Sequence, residues 1–82
     1  MSKGAGVPRH LTTRGIDVIQ ARATRYVEWD GALPGFGVRV ATSGTKTFVV
    51  KYRASRRQRL ATIGRVGTIS LRAARQRAKD WL

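Results

Sequence analysis

Lys46-Thr-Phe-Val-Val-Lys-Tyr-Arg-Ala54 alternates with a period of two. Phe48, Val50 and Tyr52 fall on one side, and Thr47, Val49, Lys51 and Arg53 on the other. Successive strand side chains point to opposite faces. The spacing therefore predicts a strand over 46–54, with the first set inward and the second outward. A slip of one residue would exchange the two sets, so the burial of one face pins the register. A chain of 82 residues has room for one domain with a thin core, and this is the clearest strand in it.

The flanking segments supply partners. Gly37 to Ala41 sets Val38 and Val40 against Arg39, and Ser43-Gly44 marks a tight hairpin between the two runs. Pro34-Gly35 suits the central pair of a type II turn, since Pro presets φ and Gly accepts a positive value. Tyr26–Trp29 reads as a first strand ended by Asp30-Gly31. Ala54–Arg57 is a polar connection to a last strand over Gln58–Ile63, which closes at Gly64. Thr12 or Thr13 caps a short helix with Ile16, Ile19 and Ala23 on one face, weakened by Gly15. Ser70 caps a second helix with the apolar stripe Leu71, Ala74, Ala78, Trp81 and Leu82. Arg72, Arg75 and Lys79 lie beside that stripe and read as a solvated flank, with phosphate contact beside the sheet as the alternative. The fold class is α+β: a short N-terminal helix, a three- to four-stranded antiparallel β-meander, and a C-terminal helix packed on one face. Residues 1–11 read as a disordered lead and 12–82 as the domain. The last helix runs to Trp81-Leu82 without a stop signal, which predicts an N-terminal domain of a longer chain.

Charge narrows the partner. The chain carries 17 Lys and Arg against 4 Asp and Glu, a formal net charge of +13. From Gly31 to Lys79 there is no acid at all. Ordinary solvated surfaces mix both signs, so this stretch points to a polyanion. Nucleic acid fits better than a membrane, because no apolar run approaches the roughly 18–20 residues of a membrane span. Outward Arg39, Lys51, Arg53 and Arg59 are expected on one sheet face, able to reach base edges and phosphates. Lys46, Arg56 and Arg57, at the sheet ends, are assigned to phosphate.

Catalytic and metal chemistry find no footing. There is no cysteine, the only histidine is His10 in the lead, and the acids are scattered. No cofactor and no small-molecule ligand are expected. Gly35-Phe-Gly37 lacks the third glycine of a phosphate-binding loop, since position 40 is Val, and is better explained by a turn. Trp29, Phe48, Tyr52 and Trp81 read as core rather than as stacking platforms.

The order of motifs resembles the N-terminal arm-type DNA-binding domain of phage and genomic-island integrases, the tyrosine recombinases. The likeness rests on Asp30, on Leu33-Pro-Gly-Phe-Gly-Val-Arg-Val40 and on Ser43-Gly-Thr-Lys-Thr-Phe48. It continues through Tyr52-Arg53, Thr62-Ile-Gly64 and Ser70-Leu-Arg-Ala-Ala-Arg75. The resemblance implies sequence-specific binding of double-stranded DNA at arm-type sites, with the sheet in the major groove. It implies a role in DNA integration and excision, and a cytoplasmic bacterial protein carried on the nucleoid when bound. It also implies that the recombinase's catalytic Arg, His and Tyr lie in a later domain, so this segment is not an enzyme. The Ala54–Arg57 loop departs from the family by lacking Gly, which leaves open whether Arg57 or Arg59 faces DNA. Two other readings share the charge and size. One is an RNA-binding module of ribosomal type. The other is a protein-interaction domain whose last helix docks another integrase protomer or a recombination directionality factor.

Overall fold

A computed structural model of the chain describes residues 10–82; most of the expected lead, residues 1–9, lies outside the described residues. The order is α1 (Thr13–Val18), β1 (Tyr26–Trp29), β2 (Phe36–Val40), β3 (Lys46–Ala54), β4 (Arg57–Arg65) and α2 (Leu71–Trp81). The four strands form one antiparallel sheet in chain order, β1-β2-β3-β4. The expected α+β class holds, with four strands and α2 packed on one face.

The inward set of β3 packs as its alternation requires. Phe48 and Val50 are buried, opposite Val38 and Phe36 of β2. The rings of Phe36 and Phe48 stack with centroids 5.7 Å apart. Ala74 and Ala78 of α2 complete the same cluster with Ile16, Val40 and Leu11. Two alanines at that point let the helix backbone lie close to the sheet. Further along α2, Trp81 meets the ring of Tyr52 at 4.7 Å. Leu11, assigned to the lead by sequence, is therefore a core residue.

The turns explain the register. Leu33–Phe36 closes with a bond from the Phe36 N–H to the Leu33 carbonyl (3.1 Å), and Gly35 takes φ +94. A Cβ at Gly35 would stand 2.9 Å from the Lys51 carbonyl oxygen, so that position needs Gly for space as well as for angle. Thr12 caps α1 by accepting from the Gly15 N–H, and Ser70 caps α2 by accepting from the Ala73 N–H. α1 stops at Val18, and the expected continuation to Ala23 does not form. Ile19 leaves the helix with extended backbone (ψ 134), and Lys46 meets that end: its Nζ donates to the carbonyls of Ile16 (2.7 Å) and Asp17 (3.3 Å). The Ile16 carbonyl also accepts from the Ile19 N–H (3.2 Å), so the cation adds to an already capped helix end and favours its dipole.

The β3–β4 connection is a two-residue turn. Ala54 pairs directly with Arg57, and both Ser55 (φ 51) and Arg56 (φ 68) are left-handed. Two positive φ values in a two-residue loop are the type I′ geometry, which matches the twist of the strands. β4 then runs to Arg65, two residues beyond the expected end, with a bulge at Ile63, opposite Phe48 and Val49, that shifts the register by one.

Candidate nucleic-acid interface

α2 covers one face of the sheet and leaves the other free. Residues directly opposite in an antiparallel pair share a face. The free face thus carries Val27 and Trp29 from β1, Arg39 from β2, and Thr47, Val49, Lys51 and Arg53 from β3. From β4 come Gln58, Leu60, Thr62 and Arg65. Val49 is fully buried yet stands outside the core cluster beneath α2. Its cover comes from free-face neighbours. Trp29 lies across Gly37, where an added Cβ would meet the indole at 2.9 Å. Lys51 Nζ sits 4.7 Å above the indole centroid, a cation–π contact. The centre of the face is therefore sealed and apolar, with basic groups standing around it.

Arg39, Lys51 and Arg53 occupy this face as expected. Arg39 is half-buried between Val27 and Thr47 in register, while Lys51 and Arg53 are exposed. Arg59 does not join them. Because the turn spends only two residues, Arg59 falls opposite Tyr52 and Arg57 opposite Ala54, on the α2 side of the sheet. The open choice between Arg57 and Arg59 thus resolves into neither on the free face. Both are exposed near the hairpin tip with Arg56, giving that end arginines on two sides. Lys46 faces α1 and is engaged with its carbonyls, as described above.

Arg65 is the free-face cation that sequence reading missed. The bulge makes it the partner of Thr47; unbroken alternation would set it opposite Lys46, on the α2 side. The same bulge turns Gly64 toward Ile69, where a Cβ would stand 2.9 Å from a side-chain methyl. Gly64-Arg65 followed by Ile69 was the available signal, but only with the bulge already known.

Arg75 differs most from its reading as a solvated flank. Its Nε donates to Asp30 Oδ2 (3.0 Å), and its Nη2 to Asp30 Oδ1 (3.2 Å) and to the Leu11 carbonyl (2.7 Å). Asp30 also accepts from the N–H groups of Leu11 (2.9 Å) and Ala32 (3.3 Å). Burial pushes the Asp30 carboxyl up. The Arg75 hydrogen bond, the two backbone N–H donors and the Arg75 charge outweigh it and hold it below its ordinary value. The buried acid is thereby spent inside the domain and subtracts nothing from the free face. Among the described residues no group of three or more His, Cys, Asp or Glu could hold a metal ion, and no helix is long and apolar enough to cross a membrane.

A comparison with curated proteins found no match. A family model described as an Arm DNA-binding domain matches residues 11–82, from the first buried leucine to the end of α2. That span takes in the whole sheet, its basic face and the Asp30–Arg75 clasp, and the chain belongs to the arm DNA-binding domain family, the non-catalytic DNA-binding domains found in phage integrases.

Proposed function

We propose that the free face of β2–β4 enters the major groove of duplex DNA at arm-type sites and reads sequence there. The observation that carries this is a strand face with Arg39, Lys51, Arg53 and Arg65 and no acidic side chain. Strands lie about 4.8 Å apart, so β2 to β4 spans about 10 Å, against a groove about 12 Å wide. A fourth strand laid flat would not fit, and Trp29 of β1 folds back over Gly37 instead of reaching out. Arg39 and Arg53 are assigned to base edges; Arg56, at the hairpin tip, to phosphate. The wider reading follows the family: an N-terminal part of a tyrosine recombinase, serving site-specific integration and excision in the bacterial cytoplasm. Other protomers or a directionality factor are the further partners.

An RNA-binding module is less well supported. Its stacking platform would need free aromatics, but Phe48 is buried and Tyr52 is half-buried against Trp81. The test is binding of a duplex selected from a random library, in competition with structured RNA and with unselected duplex. Arg39→Ala and Arg53→Ala each cost about 1–3 kcal/mol on the selected duplex and narrow its lead over unselected DNA. Arg56→Ala weakens both duplexes alike. If RNA competes as well as the selected duplex, or Arg39→Ala and Arg53→Ala change nothing, the reading falls.

A further inference from the structure

Leu60 stands at the middle of the free face of β4, between Gln58 and Thr62 and opposite Lys51. It is 45% exposed, the one large exposed hydrophobic on any strand among the described residues. The other free-face hydrophobics are less open: Val49 is sealed, and Val27 and Trp29 are half-buried, the latter tucked over Gly37. An open leucine, flanked by the exposed Thr62 with its methyl group, is an apolar surface on a face otherwise made for phosphate and guanine. In the major groove the base that presents a carbon to such a surface is thymine, through its C5-methyl.

We propose that Leu60, with Thr62, forms a thymine-methyl subsite, so that β4 selects an A·T pair where Arg39 and Arg53 select their own bases. The proposal rests on the groove-binding reading above and adds the base class that β4 takes. Gln58, two residues along the same face, has the carboxamide that pairs in a bidentate manner with adenine N6 and N7. The subsite thus has a reader for either base of an A·T pair. Uracil lacks the methyl, so the same surface separates DNA from RNA of equal sequence.

The experiment takes the duplex selected by this chain and resynthesises it with deoxyuridine for thymidine, one position at a time. Only a methyl is removed and pairing is kept. One or two positions should lose about three- to five-fold in affinity, the value of one buried carbon at about 0.8 kcal/mol. Leu60→Ala, and separately Leu60→Thr, which keeps strand preference, should abolish that difference between thymidine and deoxyuridine or shrink it. The uracil series uses the unaltered protein, so it does not depend on how the variants fold. Equal affinity at every deoxyuridine position overturns the subsite, even where Arg39→Ala still relaxes specificity and the groove reading stands. A library that yields no preferred sequence overturns both.

Discussion

At the scale of single residues, Asp30 holds the most. Its carboxylate is fully buried and takes hydrogen bonds from α2, from the segment before α1 and from the loop after β1. Removing one partner of such a pair leaves the other charge buried without compensation, which costs about 3–5 kcal/mol. Arg75→Met leaves the fully buried Asp30 carboxylate without its cation and should fall at the high end of that range, while Asp30→Ala leaves a partly exposed Arg75 that water can reach and should fall at the low end. Protonation acts on the same contact. A carboxyl held below its ordinary value in the folded state binds protons more readily when unfolded, so stability rises with pH through that window. Its contribution is whole above about pH 5 and is lost as pH falls through the lowered value. Urea unfolding of the 82-residue chain between pH 7 and pH 2 should show that decline. Asp30→Asn should be weaker at neutral pH and lose less on acidification. An Asp30→Asn variant as stable as the parent at pH 7 would refute the clasp.

At the scale of elements, the β3–β4 hairpin combines a favourable turn type with unfavourable residues. Left-handed backbone costs an L-residue other than Gly about 1–2 kcal/mol, and here Ser55 and Arg56 both adopt it. Asn-Gly is the preferred pair for this turn. Ser55→Asn with Arg56→Gly should therefore stabilise the domain by about 1 kcal/mol in urea unfolding, and weaken duplex binding because the tip arginine is gone. A double variant that gains stability and keeps its affinity would remove Arg56 from the interface. The missing glycine of the Ala54–Arg57 loop thus marks a place where the sequence departs from the local rule, as functional tips often do.

The same hairpin shows how far sequence reading reached. β1, β3 and both helix caps were legible, because alternation and capping are local signals. The β2 turn was legible from Pro34-Gly35. The faces of Arg59 and Arg65 were not. The first depended on a two-residue turn made without Gly, the second on a bulge that shifts alternation by one residue. The Asp30–Arg75 clasp joins residues 45 positions apart and leaves no periodic trace. An arginine beside an apolar helix stripe looks the same in sequence whether solvent or a buried acid receives it.

For the whole molecule, net charge outweighs any single contact. Thirteen unbalanced positive charges repel one another, and the repulsion is eased by salt within a Debye length of about 10 Å at 0.1 M. The unfolding midpoint of the free domain should therefore rise between 20 mM and 500 mM sodium chloride, a range chosen for roughly a fivefold change in that length. Duplex affinity should move the opposite way. If about six phosphates are contacted, log affinity falls with log salt at a slope near −5. A flat slope would speak against nucleic acid as the partner. A midpoint that falls with added salt would mean that attraction, not repulsion, governs the surface.

The sheet runs β1-β2-β3-β4 in chain order. Its consequence lies in how the chain finds its fold. Each strand pairs with its immediate predecessor, across only Ser55-Arg56 in the last hairpin and Ala41–Thr45 in the one before. Short closures cost little entropy, so these strand pairings are local ones for a sheet. The distant pairings belong to α2: Arg75 reaches back 45 residues to Asp30 and 64 to Leu11. The ribbon can thus pair in the order of synthesis, and one arginine from the last helix then closes the longest loops of the domain.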